Sequence, residues 1–227
     1  MSELTVYDCG TLPYAPALEV QRRLQHAREV EEIGDTLLLL EHPPVLTMGK
    51  SAVREHVLAT DKQLAEAGAT IEWIERGGET TYHGPGQLVG YVIFNLYDRH
   101  RSIKRFVRNM EQVFIDLLGE EYRIEAGRDV EHPGVWVAHE KITAVGISIR
   151  NKVTMHGFAF NVAPDLAHFD WIIPCGITDR GQTSLLKLTG RTPHMDEIKE
   201  KVADRFTRIY EFDRRSELLP GPPQLSP

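Results

Sequence analysis

Two stretches of this chain place reactive side chains among the small residues that let a ligand come close. In RGGETTYHGPGQ, Arg76 to Gln87, four glycines and one proline surround Arg76, Tyr82 and His83. Glycine admits positive φ and close backbone approach, and Pro85 fixes its own φ while biasing Gly84 towards extended backbone. Such a loop can hold a ligand. It can equally be a hairpin connection between IEWIER and LVGYVIFNL whose polar groups face water. In IIPCGITDRGQTSL, Pro174 restricts the backbone before Cys175 and Gly176 permits a tight turn after it. That setting presents a thiol at the end of an apolar segment, as a nucleophile requires, although a free cysteine also serves as a small buried hydrophobe.

A thiol with its ordinary pKa of about 8.5 needs a neighbouring cation to ionise at neutral pH. Lys141, which opens the apolar run KITAVGISI, is the candidate. Strand alternation puts Lys141, Thr143 and Val145 on one face and Ile142, Ala144 and Gly146 on the other. The bland reading of Lys141 is an exposed edge residue. His83 and His156 are further candidates, as base or orienting group. Cys175 and the two histidines are conceivable metal ligands, but no pair has ligand spacing on one element, so no metal is expected. Cys9 has no comparable surroundings and reads as structural, and two cysteines so far apart do not suggest a disulfide framework.

The elements that position these residues come from an ordinary globular composition: 227 residues, 41% hydrophobic and 26% charged. The longest uninterrupted apolar runs, Leu37 to Leu40 among them, are far below the roughly 20 residues of a spanning helix. Met1 to Gly10 has neither a basic nor an apolar signal region. A net charge of −7 argues against general nucleic-acid binding. A cytoplasmic enzyme or binding protein is expected, with neither nucleic acid nor membrane as partner.

Periodicity predicts strands at LTVYD, TLLLLEH, LVGYVIFNL, EYRIE, GVWVA, KITAVGISI and GFAFNV, the last two joined through RNKV as a hairpin. Helices are predicted over Tyr14 to Val30, within Ser51 to Gly68, over Ile103 to Leu117, and from near Thr192 with Pro193 in the first turn. The prolines of HPPVLTMGK are read as stopping regular structure. The tail from 216 to 227 is too proline-rich to fold alone and is expected to be disordered, leaving one domain over 1–215. Grouped strands with inserted helices and no regular alternation indicate an α+β fold with mixed sheets flanked by helices.

RGGETTYHGPGQ, KITAVGIS, HGFAFNV, and PCGI followed by TSL occur in that order. Together the four blocks resemble the lipoyl(octanoyl) transferase family, of the biotin/lipoate protein ligase fold group, from about Glu41 to Leu185. The resemblance implies transfer of an octanoyl group from octanoyl acyl carrier protein to a lysine of lipoyl domains, those of 2-oxoacid dehydrogenase complexes and of glycine cleavage H protein. No cofactor is implied. It also implies Cys175 as the acyl-thioester cysteine and Lys141 as the lysine that lowers its pKa. Arg76, Gly77, Gly78, Glu79, Thr80, Thr81, Tyr82 and His83 would line the substrate site with Ala144, Val145, Gly146, Gly157, Phe158 and Ala159. Phe158 and Phe160 stand where the family often has smaller aliphatic residues, which bears on acyl-chain length.

That chemistry is consistent with the residue types. A thiolate exchanges one thioester for another without ATP, and Lys141 could then serve as base for the incoming amine. An apolar tunnel would favour an eight-carbon chain by about 5 kcal/mol, at about 0.8 kcal/mol per methylene. Outside the family blocks, Arg101, Lys104, Arg105 and Arg108 fall at i, i+3, i+4 and i+7, a basic helical stripe that is either a solvated face or a dock for an acidic carrier protein. The alternatives are an ATP-dependent lipoate or octanoate ligase of the same fold, a noncatalytic binding module, and, less well matched, a thiol hydrolase.

Overall fold

The computed structural model describes residues 2–98, 102–173 and 180–223, so Cys175 and Arg101 lie outside the described residues. In chain order the first half forms Glu3–Thr11 (β1), Tyr14–Glu29 (α1), Thr36–Glu41 (β2), Val45–Met48 (β3), Asp61–Glu66 (α2), Thr70–Trp73 (β4), Thr80–His83 (β5), Gln87–Ile93 (β6) and Ile103–Tyr122 (α3). The second half adds Gly127–Arg128 (β7), Gly134–Val137 (β8), Glu140–Arg150 (β9), Val153–Asn161 (β10), Gly181–Gln182 (β11), Leu185–Thr189 (α4), Met195–Ile209 (α5) and Arg214–Pro220 (β12). One sheet runs β12-β1-β2-β6-β10-β9-β8-β7 with β11 beside β9; a smaller one runs β4-β3-β5. Both mix parallel and antiparallel pairs.

The large sheet is buried on both faces, which explains the unbroken leucine run of β2. Leu37 and Leu39 enter one core with Phe106, Met110, Phe114 and Leu117 of α3 and Val202 and Phe206 of α5. Leu38 and Leu40 point the other way, towards Ala17 and Leu24 of α1. β6 alternates likewise, Leu88 and Val92 on the α3 side and Val89, Tyr91 and Ile93 on the α1 side. The period-2 pattern thus sorts neighbouring residues into two cores. α3 has the strong apolar stripe predicted for it, begins at Ser102, whose side chain accepts from the Arg105 N–H, and ends at Arg123 in the left-handed region. The RNKV hairpin forms as read: Asn151 and Lys152 have φ of 46° and 74°, as a two-residue turn matched to strand twist requires.

Several expectations are corrected. Pro43 and Pro44 stop structure only until Val45, because β3 finds β4 and β5 to pair with. Thr80 to His83 is a strand within the glycine-rich stretch, so that stretch is not one continuous loop. In EYRIE, Glu121 and Tyr122 finish α3 and no strand forms. Ser51–Gly68 does contain a helix as expected, Asp61–Glu66, set by a Thr60/Gln63 capping box and preceded by a single 3-10 turn. α5 starts at Met195, leaving Pro193 outside it. The tail departs most: Arg214–Pro220 pairs in parallel with β1, and the Gly221 N–H donates to Asp8 O at 2.7 Å. Proline is tolerated there because β12 is an edge strand.

Candidate active site

A cavity of about 440 Å³ collects residues from the glycine-rich stretch, the β9–β10 hairpin and β6. Of the predicted substrate residues, Arg76, Gly77, Gly78, Glu79, Thr80, Thr81, His83, Ala144, Val145, Gly146, Gly157, Phe158 and Ala159 line it, and so does Lys141. Tyr82 does not. Its ring packs with Leu46, Met48 and Phe169, and its hydroxyl lies 2.8 Å from His168 Nδ1. Phe160 is fully buried in the α3 core and is also absent from the lining, whereas Phe158 belongs to both.

The glycine-rich segment is held by backbone. The N–H groups of Gly49, Lys50 and Ser51 donate to the carbonyls of Glu79, Arg76 and Gly78 at 3.0–3.2 Å. Gly49 permits that approach, since a Cβ there would sit 2.3 Å from Gly78 O. Arg76 folds back over the turn, its Nη1 and Nη2 donating to Gly77 O and Glu79 O at 2.8 Å each. The segment is therefore ordered through its own carbonyls before any ligand is bound.

Lys141 is buried, 8% exposed, so the edge-residue reading fails. Its Nζ lies 4.8 Å from the centre of the Trp136 ring, near which the Arg180 guanidinium also sits, at 5.2 Å. Strict alternation fails beside it too. Val135 pairs with Thr143 but Trp136 pairs with Lys141, leaving Ile142 as the extra residue of a β-bulge. Ile142 accordingly enters the α3 core with Val145 and Ile147, on the opposite side from Ala144. The bulge frees Lys141 from the strand's alternation and aims it at the cavity. Gly134, at φ 137°, allows β8 to cross closely, where a Cβ would lie 2.5 Å from Thr143 O.

The histidines form a buried neutral group at this site. His42 Nδ1 meets the Leu12 carbonyl at 2.5 Å and must donate, so Nε2 accepts from the Tyr91 hydroxyl at 2.6 Å. Burial pushes His42 down to about 4. His83 is brought down to about 3, by burial first and then by the nearby His42. His156 also falls to about 3, from burial and then the charge of Arg76. His156 has φ 64° within β10, its N–H donates to Gln21 Oε1 at 2.9 Å, and its buried Nε2 has no hydrogen-bond partner among the described residues. A polar chain leads from His83: Nδ1 to Gln87 Oε1 at 2.7 Å, Gln87 Nε2 to Asn161 Oδ1 at 2.9 Å, Asn161 Nδ2 to Thr183 O at 3.0 Å, and Thr183 N to Lys141 O at 3.0 Å.

Sequence reasoning overlooked Tyr14, Tyr91, Gln87, Asn161 and Gln182, which also line the cavity. Gln87 and Asn161 lie within the recognised blocks RGGETTYHGPGQ and HGFAFNV, so polar residues bordering or inside apolar strands were the available signal; Tyr14 carries none. Cys9 is buried in the α1 core, and burial pushes its thiol up to about 12, as befits a structural cysteine. Among the described residues no three His, Cys, Asp or Glu side chains are grouped to hold a metal ion. No described helix is long and apolar enough to cross a membrane.

Residues 13–207 match the model of the lipoyl protein ligase A/B catalytic domain. The chain belongs to that family. A curated relative named octanoyltransferase, from Caldicellulosiruptor saccharolyticus, is 50% identical over 209 residues, covering 92% of this chain and 89% of its own. The enzyme is an acyltransferase. Among solved structures, the bipartite lipoate protein ligase of Thermoplasma acidophilum, described with its E2 lipoyl domain, superposes with a TM-score of 0.70 at 15% identity, covering 96% of this chain and 87% of its own. The biotin protein ligase of Aquifex aeolicus does so with a TM-score of 0.53 at 16% identity, covering 93% and 70%. The α+β architecture of mixed sheets flanked by helices is therefore the biotin/lipoate protein ligase fold.

Proposed function

We propose that this acyltransferase moves an octanoyl group from octanoyl acyl carrier protein to a lysine of lipoyl domains through a thioester on Cys175, in the cytoplasm. The observation that carries the reading is the convergence of Lys141 and thirteen of the fourteen expected substrate residues on one cavity. Its volume of about 440 Å³ is that of a small-molecule site. Val89, Val107, Val145, Ile147 and Phe158 supply apolar wall for an acyl chain. Phe169 and Gln182, on either side of the segment that contains Cys175, both line it too, which supports a nucleophile at this cavity.

In this reading the Cys175 thiolate attacks the donor carbonyl, a C–S bond to the enzyme forms, and the bond to the carrier's sulfur breaks, the departing thiolate taking a proton from the Lys141 ammonium and leaving Lys141 as a neutral amine. The acceptor amine then attacks the same carbon, the amide forms, Cys175 leaves as thiolate, and the amine's proton passes to the Lys141 amine. Lipoyl domains as acceptors are supported by the Thermoplasma ligase described with its own. For the donor, Lys104, Arg105 and Arg108 are exposed on α3 and, with Arg128, border a groove of about 420 Å³, while Val107 of the same helix lines the cavity. A basic groove on the helix that also lines the cavity suits an acidic carrier protein. The ligase alternative has less behind it, since the Thermoplasma and Aquifex ligases share 15% and 16% identity against 50% for the octanoyltransferase.

The test is intact mass after incubation with octanoyl acyl carrier protein, without ATP or acceptor. An octanoyl increment on the wild type, absent from Cys175→Ser and discharged by lipoyl domain, is expected. No adduct, with transfer only from free acid and ATP, would refute the reading.

A further inference from the structure

The chain of amides between His83 and the Lys141 strand has only one chemically consistent polarity. Thr183 O is a backbone carbonyl and can only accept, so the Asn161 atom 3.0 Å from it is the amide nitrogen. Asn161 therefore turns Oδ1 towards Gln87, and Gln87 must answer with Nε2 at 2.9 Å. That leaves Gln87 Oε1 facing His83 Nδ1 at 2.7 Å, where the ring has to donate. Amide and histidine orientations are ordinarily open to assignment, but here the fixed carbonyl at one end sets every member in turn.

The chain is sealed from water, which makes its polarity costly to reverse. Gln87 and Asn161 are each 2% exposed and Thr183 is 0% exposed. Flipping either amide would set oxygen against oxygen or leave a buried donor unmet. The ring itself is clamped, stacked within 9° of Tyr14 and 5.9 Å from His42 by ring centres. Among the described residues nothing hydrogen-bonds its Nε2, and His83 lines the cavity.

We propose that Gln87 and Asn161 are positioning residues that hold His83 as the Nδ1–H tautomer, so that its Nε2 offers a hydrogen-bond acceptor to the attacking amine of the acceptor lysine. The assignment of that amine rests on the acyl transfer proposed above; the tautomer does not. A ring this weakly basic orients the amine's N–H and lone pair without taking the proton, which is left to Lys141. Because the chain ends on the carbonyl of Lys141 itself, it ties acceptor and base to one framework. Neither amide touches the acyl chain's carbonyl in this scheme, so their effect should fall on turnover and not on donor affinity.

The test is nitrogen-15 NMR of the His83 ring in the full-length wild-type protein, beside Gln87→Met. The wild type should show a protonated Nδ1 and a bare Nε2 at neutral pH. Gln87→Met, checked for folding by its thermal transition, should lose the single tautomer and roughly tenfold in kcat with KM for the octanoyl donor nearly unchanged. A wild-type ring protonated on Nε2 would overturn the proposal even if the variant did not fold. Unchanged kcat in a folded Gln87→Met protein would overturn the positioning role. A wild type that transfers no octanoyl group, yet shows the Nδ1–H ring, would instead count against the acyl-transfer reading.

Discussion

Phe158 and Phe160 sit two residues apart on β10 and face the same core, yet only Phe158 also lines the cavity. Their replacement by leucine separates wall from core. The Phe158 ring lies 4.7 Å from Phe114 and 5.6 Å from Phe206 by ring centres, and the Phe160 ring 5.0 Å from Phe114. Leucine keeps part of each side chain, so both variants should lose about 1–3 kcal/mol, less than a full phenylalanine-to-alanine truncation. Only Phe158→Leu should lengthen the cavity. Two further methylenes accommodated there are worth about 1.6 kcal/mol, which is about 15-fold in relative kcat/KM for a ten-carbon over an eight-carbon acyl donor. The assay is transfer from decanoyl and octanoyl acyl carrier protein to a lipoyl domain, with denaturant midpoints taken alongside. If Phe160→Leu moved the ratio as much as Phe158→Leu, or if neither moved it while both lost stability, Phe158 would not be a wall of the acyl site.

Three further outcomes follow from other parts of the molecule. Gly49→Ala puts a Cβ 2.3 Å from Gly78 O and must displace a segment held by three backbone hydrogen bonds, so unfolding should become easier by at least about 2 kcal/mol; an unchanged urea midpoint would contradict the docking described. Reversing Lys104 and Arg108 to glutamate should raise KM for the acyl carrier protein roughly tenfold at low salt, with the gap closing as salt is added, and an unaltered KM would remove the groove as a docking surface. His42, His83 and His156 have folded pKa values near 4, 3 and 3, below the ordinary 6.5. Below pH 6.5 the unfolded chain binds these protons and the folded one does not, so stability present above that pH is lost as pH falls from 6.5 through 4 towards 3. The slope is at most about 4 kcal/mol per pH unit for the three together. Calorimetric unfolding at pH 5 in buffers of different ionisation heat should reveal uptake approaching three protons, and uptake near zero would mean that these rings are charged in the folded state.

Much of this arrangement could be read from local pattern. The apolar stripe of α3, the alternation of β6 and β10 and the unbroken leucines of β2 report burial directly, because the helix and strand periods decide which side chains share a face. The reactive types and their surrounding glycines were equally legible in Arg76 to His83 and in the hairpin carrying Lys141. Where local signals competed with distant partners they lost. Val45–Met48 became a strand against the prolines before it, and Ser216–Pro220, the start of the tail expected to be disordered, completes a strand that pairs with β1, some two hundred residues earlier in the chain.

The amino-acid sequence alone determined which chemistry this protein carries, since glycines, lysine, cysteine and histidines are a choice of functional groups and not of their placement. Tertiary structure decided what those groups face. The bulge at Ile142 turned Lys141 inward against the alternation of its strand, the β5 pleat took Tyr82 away from the cavity, and burial beside Tyr14 and His42 made His83 a neutral ring with a fixed donor side. Each outcome depends on the register between strands and on desolvation by residues far off in the chain, and neither quantity exists until the sheets have closed around the site.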